Sequence, residues 1–245
     1  MSEIDRLKER LIKLHMKAAA QNLESILKEA QGKNLSTICT LQRLADVELE
    51  RRWQNAIKLK WDQSGLCERV SIDQFDFGHH KSRKEQKNRI LHLLDLEFIK
   101  ERMDVIMIGN PGTGKTFLAK CVGSAACNVN IKVLFTSAMD MINHLVAAEA
   151  DRSLLKKLQF YQSPELLIVD EIGYLSLGQQ GSHLFFQVIS ARHQKKSTLL
   201  TTNLPFADWG KVFDSTTVAT AIADRLVYRS EVLILEGTSY RRKEK

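Results

Sequence analysis

Val105-Ile106-Met107-Ile108 runs directly into Gly109-Asn110-Pro111-Gly112-Thr113-Gly114-Lys115-Thr116, and Phe117-Leu118-Ala119-Lys120-Cys121-Val122 follows. The first run is short, apolar and rich in β-branched residues, which predicts a strand. The last run predicts the start of a helix. Between them stands G-x-x-x-x-G-K-T, the spacing of a phosphate-binding loop in the strand–loop–helix setting that it needs. Glycines at these positions let backbone N–H groups turn inward around a β-phosphate, because a side chain would clash in the required dihedrals. The helix N-terminus adds its partial positive charge. Lys115 is placed to reach the β- and γ-phosphates, and the Thr116 hydroxyl to hold Mg²⁺. Residues 109–116 are therefore the candidate nucleotide contacts.

Downstream, strands and helices alternate. Lys132-Val133-Leu134-Phe135 is a second predicted strand, Leu166-Leu167-Ile168-Val169 a third, Ser197-Thr198-Leu199-Leu200-Thr201 a fourth and Val232-Leu233-Ile234-Leu235 a fifth. Helical patterns fill 138–161, 181–194 and 216–229. Such alternation predicts an α/β fold with a five-stranded parallel sheet and helices on both faces.

The third strand ends in Asp170-Glu171. Asp170 would hold Mg²⁺ through water beside the phosphate loop. Glu171 would orient and deprotonate an attacking water. The pair follows an intervening strand, as expected where an extra strand separates the two nucleotide-binding strands. Asn203, in Leu199-Leu200-Thr201-Thr202-Asn203, stands at the tip of the fourth strand, where ligands of open α/β sheets bind. It is a candidate for the γ-phosphate or the lytic water, and Thr201 and Thr202 are weaker substitutes. Arg225, in Ala223-Asp224-Arg225-Leu226, has two readings: an arginine reaching a neighbouring subunit's site, or a surface arginine paired with Asp224 or Glu231.

Upstream of Val105 no strand is predicted. Apolar residues at three- and four-residue spacings predict a helical pattern over 3–30 and a second helix over 41–61, so residues 1–66 read as a small all-helical domain. Residues 67–245 then form the nucleotide-binding domain with its connector, which carries Phe75-Asp76-Phe77. A third helix is predicted over 83–102. Arg51, Arg52, Lys58 and Lys60 crowd a stretch without an acid, which fits either contact with DNA phosphates or a solvated helix face. Its Trp53 and Trp61 are expected in the core. Arg152, Lys156 and Lys157 form a second basic cluster. Lys81, Arg83, Lys84, Lys87 and Arg89 form a third. His79-His80 lacks nearby carboxylate or thiol partners, so no metal is assigned there.

The 245 residues are 44% apolar and 27% charged, the balance of a soluble globular protein. No apolar run approaches the ~20 residues of a membrane span. Met1-Ser2-Glu3-Ile4-Asp5 lacks the apolar core of a signal peptide. Cys39, Cys67, Cys121 and Cys127 have no C-x-x-C spacing. A cytoplasmic protein with reduced thiols is expected. The net charge of +7 is spread over the chain and permits a polyanionic partner without requiring one.

The series G-N-P-G-T-G-K-T, L-I-V-D-E-I-G-Y, L-L-T-T-N-L-P, A-D-R-L and G-T-S-Y-R resembles the IstB family of insertion-sequence ATP-binding proteins, which are similar to the helicase loader DnaC. The resemblance covers nearly the whole chain. It implies a AAA+ ATPase of the initiator and loader branch, without the usual C-terminal lid because the chain ends soon after the fifth strand. By resemblance Arg225 takes the arginine-finger position, and Arg241 is a second arginine toward the nucleotide. Residues 138–162 include the extra helical element of initiator-type AAA+ proteins, which puts Arg152, Lys156 and Lys157 on an element that lines a subunit spiral. The implied activity is ATP hydrolysis with Mg²⁺. The implied partners are double-stranded DNA, a transposase of the same element and further copies of the chain on DNA. A DnaC-like loader, with a replicative helicase and single strands as partners, is the alternative. A small-molecule kinase is disfavoured by Asp170-Glu171, Asn203 and Arg225, which serve water attack and subunit coupling.

Overall fold

The computed structural model describes residues 2–240, and the chain divides into two compact units, Met1–Leu59 and Lys60–Lys245. The first unit is helical. It contains α1 (Glu3–Lys13), α2 (Lys17–Gly32) and most of α3 (Thr37–Asp62), which continues across the boundary. The Ser2 hydroxyl accepts from the Asp5 amide and the Asp5 carboxylate accepts from the Ser2 amide, a reciprocal cap that starts α1. The periodicity over 3–30 breaks into two helices at His15, whose φ of 59° lies in the left-handed region. No side chain caps α2 locally. Glu48 of α3 does so instead: it is buried and accepts from the amides of Ala18 (2.8 Å) and Ala19 (3.2 Å). Leu11, Leu23, Ile26 and Leu44 close the small core around Ala19 and Ala20. Trp53 departs from expectation. It is 44% exposed, on an α3 face that also exposes Leu49. Trp61, in the second unit, is partly buried and carries the Arg69 guanidinium 5.0 Å from its ring centre.

The second unit is built on a wholly parallel sheet. Its strands are β1 (Asp104–Gly109), β2 (Val133–Ser137), β3 (Leu166–Ile172), β4 (Ser197–Thr202) and β5 (Ser230–Leu235). The spatial order is β2-β3-β4-β1-β5. The strand that separates β1 from β3 is thus β4, whereas β2, which precedes β3 in sequence, lies at the edge. Strand residues alternate between two cores, as the two-residue pleat requires. Ile106, Leu167, Val169 and Leu200 face one side, with α8 (Ala138–Ala150), α9 (Leu154–Gln162), α10 (Gly178–Arg192) and α11 (Thr216–Val227). Val105, Met107, Leu166, Ile168 and Leu199 face the other, with α7 (Lys115–Asn128).

The helix expected over 83–102 is instead three short ones: α4 (Lys81–Glu85), α5 (Lys87–Leu93) and α6 (Glu97–Lys100). Leu96 takes φ of 60°, and this turn brings Phe98 and Ile99 into the core already entered by Ile90 and Leu93. A straight helix could not present all four to one surface. No helix among the described residues is long and apolar enough to cross a membrane.

Candidate active site

The phosphate loop leaves the carboxyl end of β1 and enters α7. Gly112 and Gly114 have φ of 80° and 95°, a region that side chains resist. Space forbids them as well: a Cβ on Gly109 would lie 2.1 Å from the Leu235 carbonyl oxygen, and one on Gly114 2.6 Å from the Phe75 ring. Lys115 opens α7 and is buried, and its Nζ donates to the carbonyls of Gly109 (2.7 Å) and Asn110 (3.0 Å). The Thr113 hydroxyl donates to the Asn110 carbonyl at 2.8 Å and tightens the loop.

Because β4 lies between β1 and β3, the tips of all three strands border the loop. On a regular strand Asp170 and Glu171 would point to opposite faces. The β3–β4 register shifts between Val169 and Ile172, and Glu171 takes φ of 63°. This bulge re-aims the chain so that Asp170 bonds Thr116 while Glu171 lines the cleft that Thr116 also borders. Asp170 is buried and Glu171 is exposed toward the cleft. Asp170 accepts from the Thr116 hydroxyl at 3.1 Å and also from the Thr201 hydroxyl. The Thr201 oxygen accepts the Glu171 amide at 2.9 Å. Thr201 therefore holds both acidic residues from β4, a larger part than its sequence position announced.

A cleft of about 250 Å³ receives Lys115, Thr116, Glu171 and Asn203. The Asn203 Oδ1 atom is buried without a partner among the described residues, and a Cβ on Gly173 would come within 2.8 Å of it. A buried acceptor left open at a strand tip is matched to a ligand or water donor. Thr116 and Asp170 offer oxygen donors, the chemistry that Mg²⁺ prefers, and they converge to hydrogen-bonding distance. No cluster of three His, Cys, Asp or Glu occurs among the described residues, and Mg²⁺ at a nucleotide site needs only one or two carboxylates beside phosphate oxygens.

Other sequence candidates lie elsewhere. Arg225, on α11, does not line this cleft. Its guanidinium lies 4.6 Å from the Phe186 ring centre and its Nη1 donates to the Ala221 carbonyl at 2.8 Å. Of the two carboxylates considered for it, Asp224 and Glu231, the second pairs with Arg89, and Arg225 forms no ion pair among the described residues. Arg241 lies outside the described residues. In the first unit Arg51 donates to Gln21 (3.3 Å), and Arg52 pairs with Glu48 (3.1 Å) and donates to the His15 carbonyl. Lys58 is exposed and Lys60 half-buried. Arg152 and Lys156 are exposed around the α8–α9 turn, and Lys157 lies 5.3 Å from the Phe160 ring centre.

The third basic cluster is not a patch. Lys81 pairs with Glu85, Lys87 lies over Phe77, and Arg83 is 2% exposed and borders the cleft. Burial lowers the Arg83 pKa below that of an ordinary guanidinium. Sequence reading missed this residue because a buried arginine and a solvated one look alike inside a run of cations. The histidines beside it are local fasteners. His80 Nδ1 accepts the Ser82 amide at the start of α4, and His79 Nε2 lies 3.2 Å from the Thr238 carbonyl.

Residues 9–245 match the family of IstB-like ATP binding proteins. A protein of Geobacillus stearothermophilus described as ATP-binding, from insertion sequence IS5376, is 36% identical over 241 residues, 98% of this chain and 95% of that protein. A counterpart from insertion sequence IS232 of Bacillus thuringiensis subsp. berliner is 35% identical over 231 residues, 94% of this chain and 92% of that protein. Among solved structures, the DnaC helicase loader superposes with a TM-score of 0.58 at 21% identity, over 73% of this chain and 99% of that one, a likeness of fold. The chain belongs to the IstB-like ATP binding protein family and is an ATPase built on the AAA+ fold.

Proposed function

We propose that this ATPase assembles on target duplex DNA in its ATP-bound form and stimulates the transposase of the same mobile element, with hydrolysis resetting the assembly. The observation that carries the reading is the convergence of Lys115, Thr116, Asp170, Glu171 and Asn203 from three strand tips, in a chain whose relatives are insertion-sequence proteins.

In this reading the loop amides and Lys115 exchange their internal partners for the β- and γ-phosphates. Thr116 and Asp170 would hold Mg²⁺, which supplies charge neutralisation on the phosphates when bound. Glu171 accepts a proton from water as the water oxygen bonds to the γ-phosphorus. The bond from phosphorus to the bridging oxygen breaks, and its electron pair stays on ADP. Asn203 offers its open Oδ1 to the water or its amide to the γ-phosphate. Arg225, remote from its own cleft, would act on the nucleotide of a neighbouring copy. The candidate DNA contacts are Lys58 and Lys60 with Arg51 and Arg52, and the α8–α9 turn with Arg152, Lys156 and Lys157.

The test measures binding of the purified protein to labelled duplex and single strands with ATP, with ADP and without nucleotide. Duplex binding that requires ATP, followed by faster strand transfer when the element's transposase is added, is the expected result. A preference for single strands, or binding that appears only with a replicative helicase, would transfer the assignment to a loader.

A further inference from the structure

The phosphate loop is gripped from both sides by chain segments far from it in sequence. On one side is the connector 75–83. Phe75 packs against Gly114 so closely that no side chain fits there. On the other is the segment after β5. The Tyr240 amide donates to the Gly112 carbonyl at 2.9 Å, and a Cβ on Gly112 would lie 2.0 Å from the Ser239 hydroxyl. Arg83 joins the two sides. Its Nη1 donates to the Asp76 carbonyl (3.0 Å) and its Nη2 to the Thr113 carbonyl within the loop (2.9 Å). The guanidinium carbon lies 4.6 Å from the Phe75 ring centre and 5.3 Å from that of Tyr240. The same segments are fastened again further back. The Ser82 hydroxyl donates to the Ile234 carbonyl at 3.0 Å and accepts the Glu236 amide at 3.1 Å, and the rings of His79 and Tyr240 meet edge to face at 5.0 Å.

We infer that Arg83 and Tyr240 form a latch that holds the phosphate loop in its nucleotide-accepting shape, so that closure of the segment after β5 and nucleotide binding are thermodynamically coupled. The inference rests on the nucleotide reading of the cleft. Its physical basis is that a loop rich in glycine has many conformations to lose. A carbonyl fixed on each of residues 112 and 113 removes much of that freedom before the ligand arrives. A planar guanidinium can bond two carbonyls in its plane while its faces meet two rings, and an ammonium cannot. Arg83 and Tyr240 are positioning residues here: they act through the loop, and the chemistry stays with Glu171.

Two properties follow and are measured together. Arg83→Lys and Tyr240→Ala should each raise the KM for ATP roughly tenfold, with kcat changed much less, since the lost interaction serves binding equally in ground and transition states. The double variant Arg83→Lys/Tyr240→Ala should be little worse than either single one, because one latch cannot be opened twice. By reciprocity, a non-hydrolysed ATP analogue should slow hydrogen exchange of the 236–240 amides in the parent, and the effect should vanish in Tyr240→Ala. Tyr240 is 37% exposed, so its truncation tests the latch even where an Arg83 variant folds poorly. Parent-like KM in Tyr240→Ala, or fully multiplicative effects in the double variant, would overturn the latch while leaving the nucleotide site intact. A parent protein that binds no ATP at all would instead overturn the nucleotide reading itself.

Discussion

At the residue scale, the cleft sets a buried cation apart from an exposed carboxylate. Lys115 is buried with its charge already directed to the loop carbonyls, whereas Glu171 is exposed at a strained position within the bulge. Lys115→Ala is therefore expected to weaken ATP binding by roughly two orders of magnitude, the size of a lost charge-assisted contact. Glu171→Gln keeps shape and size but cannot take a proton. It should bind ATP like the parent and lose turnover by at least ~100-fold. Equilibrium binding of a fluorescent ATP analogue, with phosphate release on the same preparations, separates the two. A Glu171→Gln protein that releases phosphate at the parental rate would remove Glu171 from the mechanism. The meeting of Lys115 and Glu171 at one cleft was legible in advance because the loop spacing and the strand-terminal acid pair are local. Thr201 was read only as a substitute contact, because its value comes from β4 lying beside β3. Arg83 was misassigned for the same kind of reason, since its partners Asp76 and Thr113 lie up to 30 residues away.

At the scale of elements, alternating apolar runs made five strands and their flanking helices readable, with boundaries off by a few residues. Strand order was not readable, because it depends on which crossovers pack best rather than on any one segment. The same order creates a buried polar joint between β1, β4 and α10. Arg192 closes α10 fully buried and donates to the carbonyls of Tyr161, Gln162 and Pro164 at 3.3, 3.2 and 2.8 Å, and also to Ser197. Its Nε bonds the Thr198 hydroxyl, whose own amide donates to Asp104 at 2.7 Å. Burial pushes the Asp104 carboxyl up from 3.8 to about 7, against the opposing pull of the Thr198 amide and Arg192. A carboxyl raised on folding binds its proton more tightly in the native state, so its contribution to stability declines as pH climbs from about 4 to about 7 and is level above that. Asp104→Asn keeps an acceptor for the Thr198 amide and does not titrate. The parent should lose stability relative to this variant across that window, read as the difference in urea midpoints. A constant difference from pH 4 to 8 would mean that Asp104 is ionised throughout, held so by Arg192.

At the scale of the whole molecule, the proposed assembly on DNA turns on Arg225 and on the basic clusters. Arg225 is outside its own cleft, and its Phe186 contact and its bond to Ala221 hold the side chain in place without a carboxylate. Arg225→Ala should bind ATP normally and turn over little. Mixing it with Lys115→Ala should recover part of the activity, as each copy supplies what the other lacks. No recovery at concentrations where the parent assembles would return Arg225 to a surface role.

DNA contact can be assigned by salt dependence, because each phosphate neutralised releases counterions and adds about one to the slope of log affinity against log salt. The four candidate cations of α3, Arg51, Arg52, Lys58 and Lys60, do not make equal probes. Arg52 pairs with the buried Glu48 that caps α2, so its loss leaves that carboxylate on the Ala18 and Ala19 amides alone and perturbs the first unit. Arg51 is engaged with Gln21. Lys58→Ala with Lys60→Ala avoids those partners, and Arg152→Ala with Lys156→Ala changes exposed side chains of the α8–α9 turn. Both pairs should leave ATP binding unchanged. The pair that touches DNA should flatten the ATP-dependent duplex slope by about two per subunit engaged. That loss should be uniform across DNA sequences, since phosphate contacts carry no base information. An unchanged slope in both double variants would retire Lys58, Lys60, Arg152 and Lys156 as contacts.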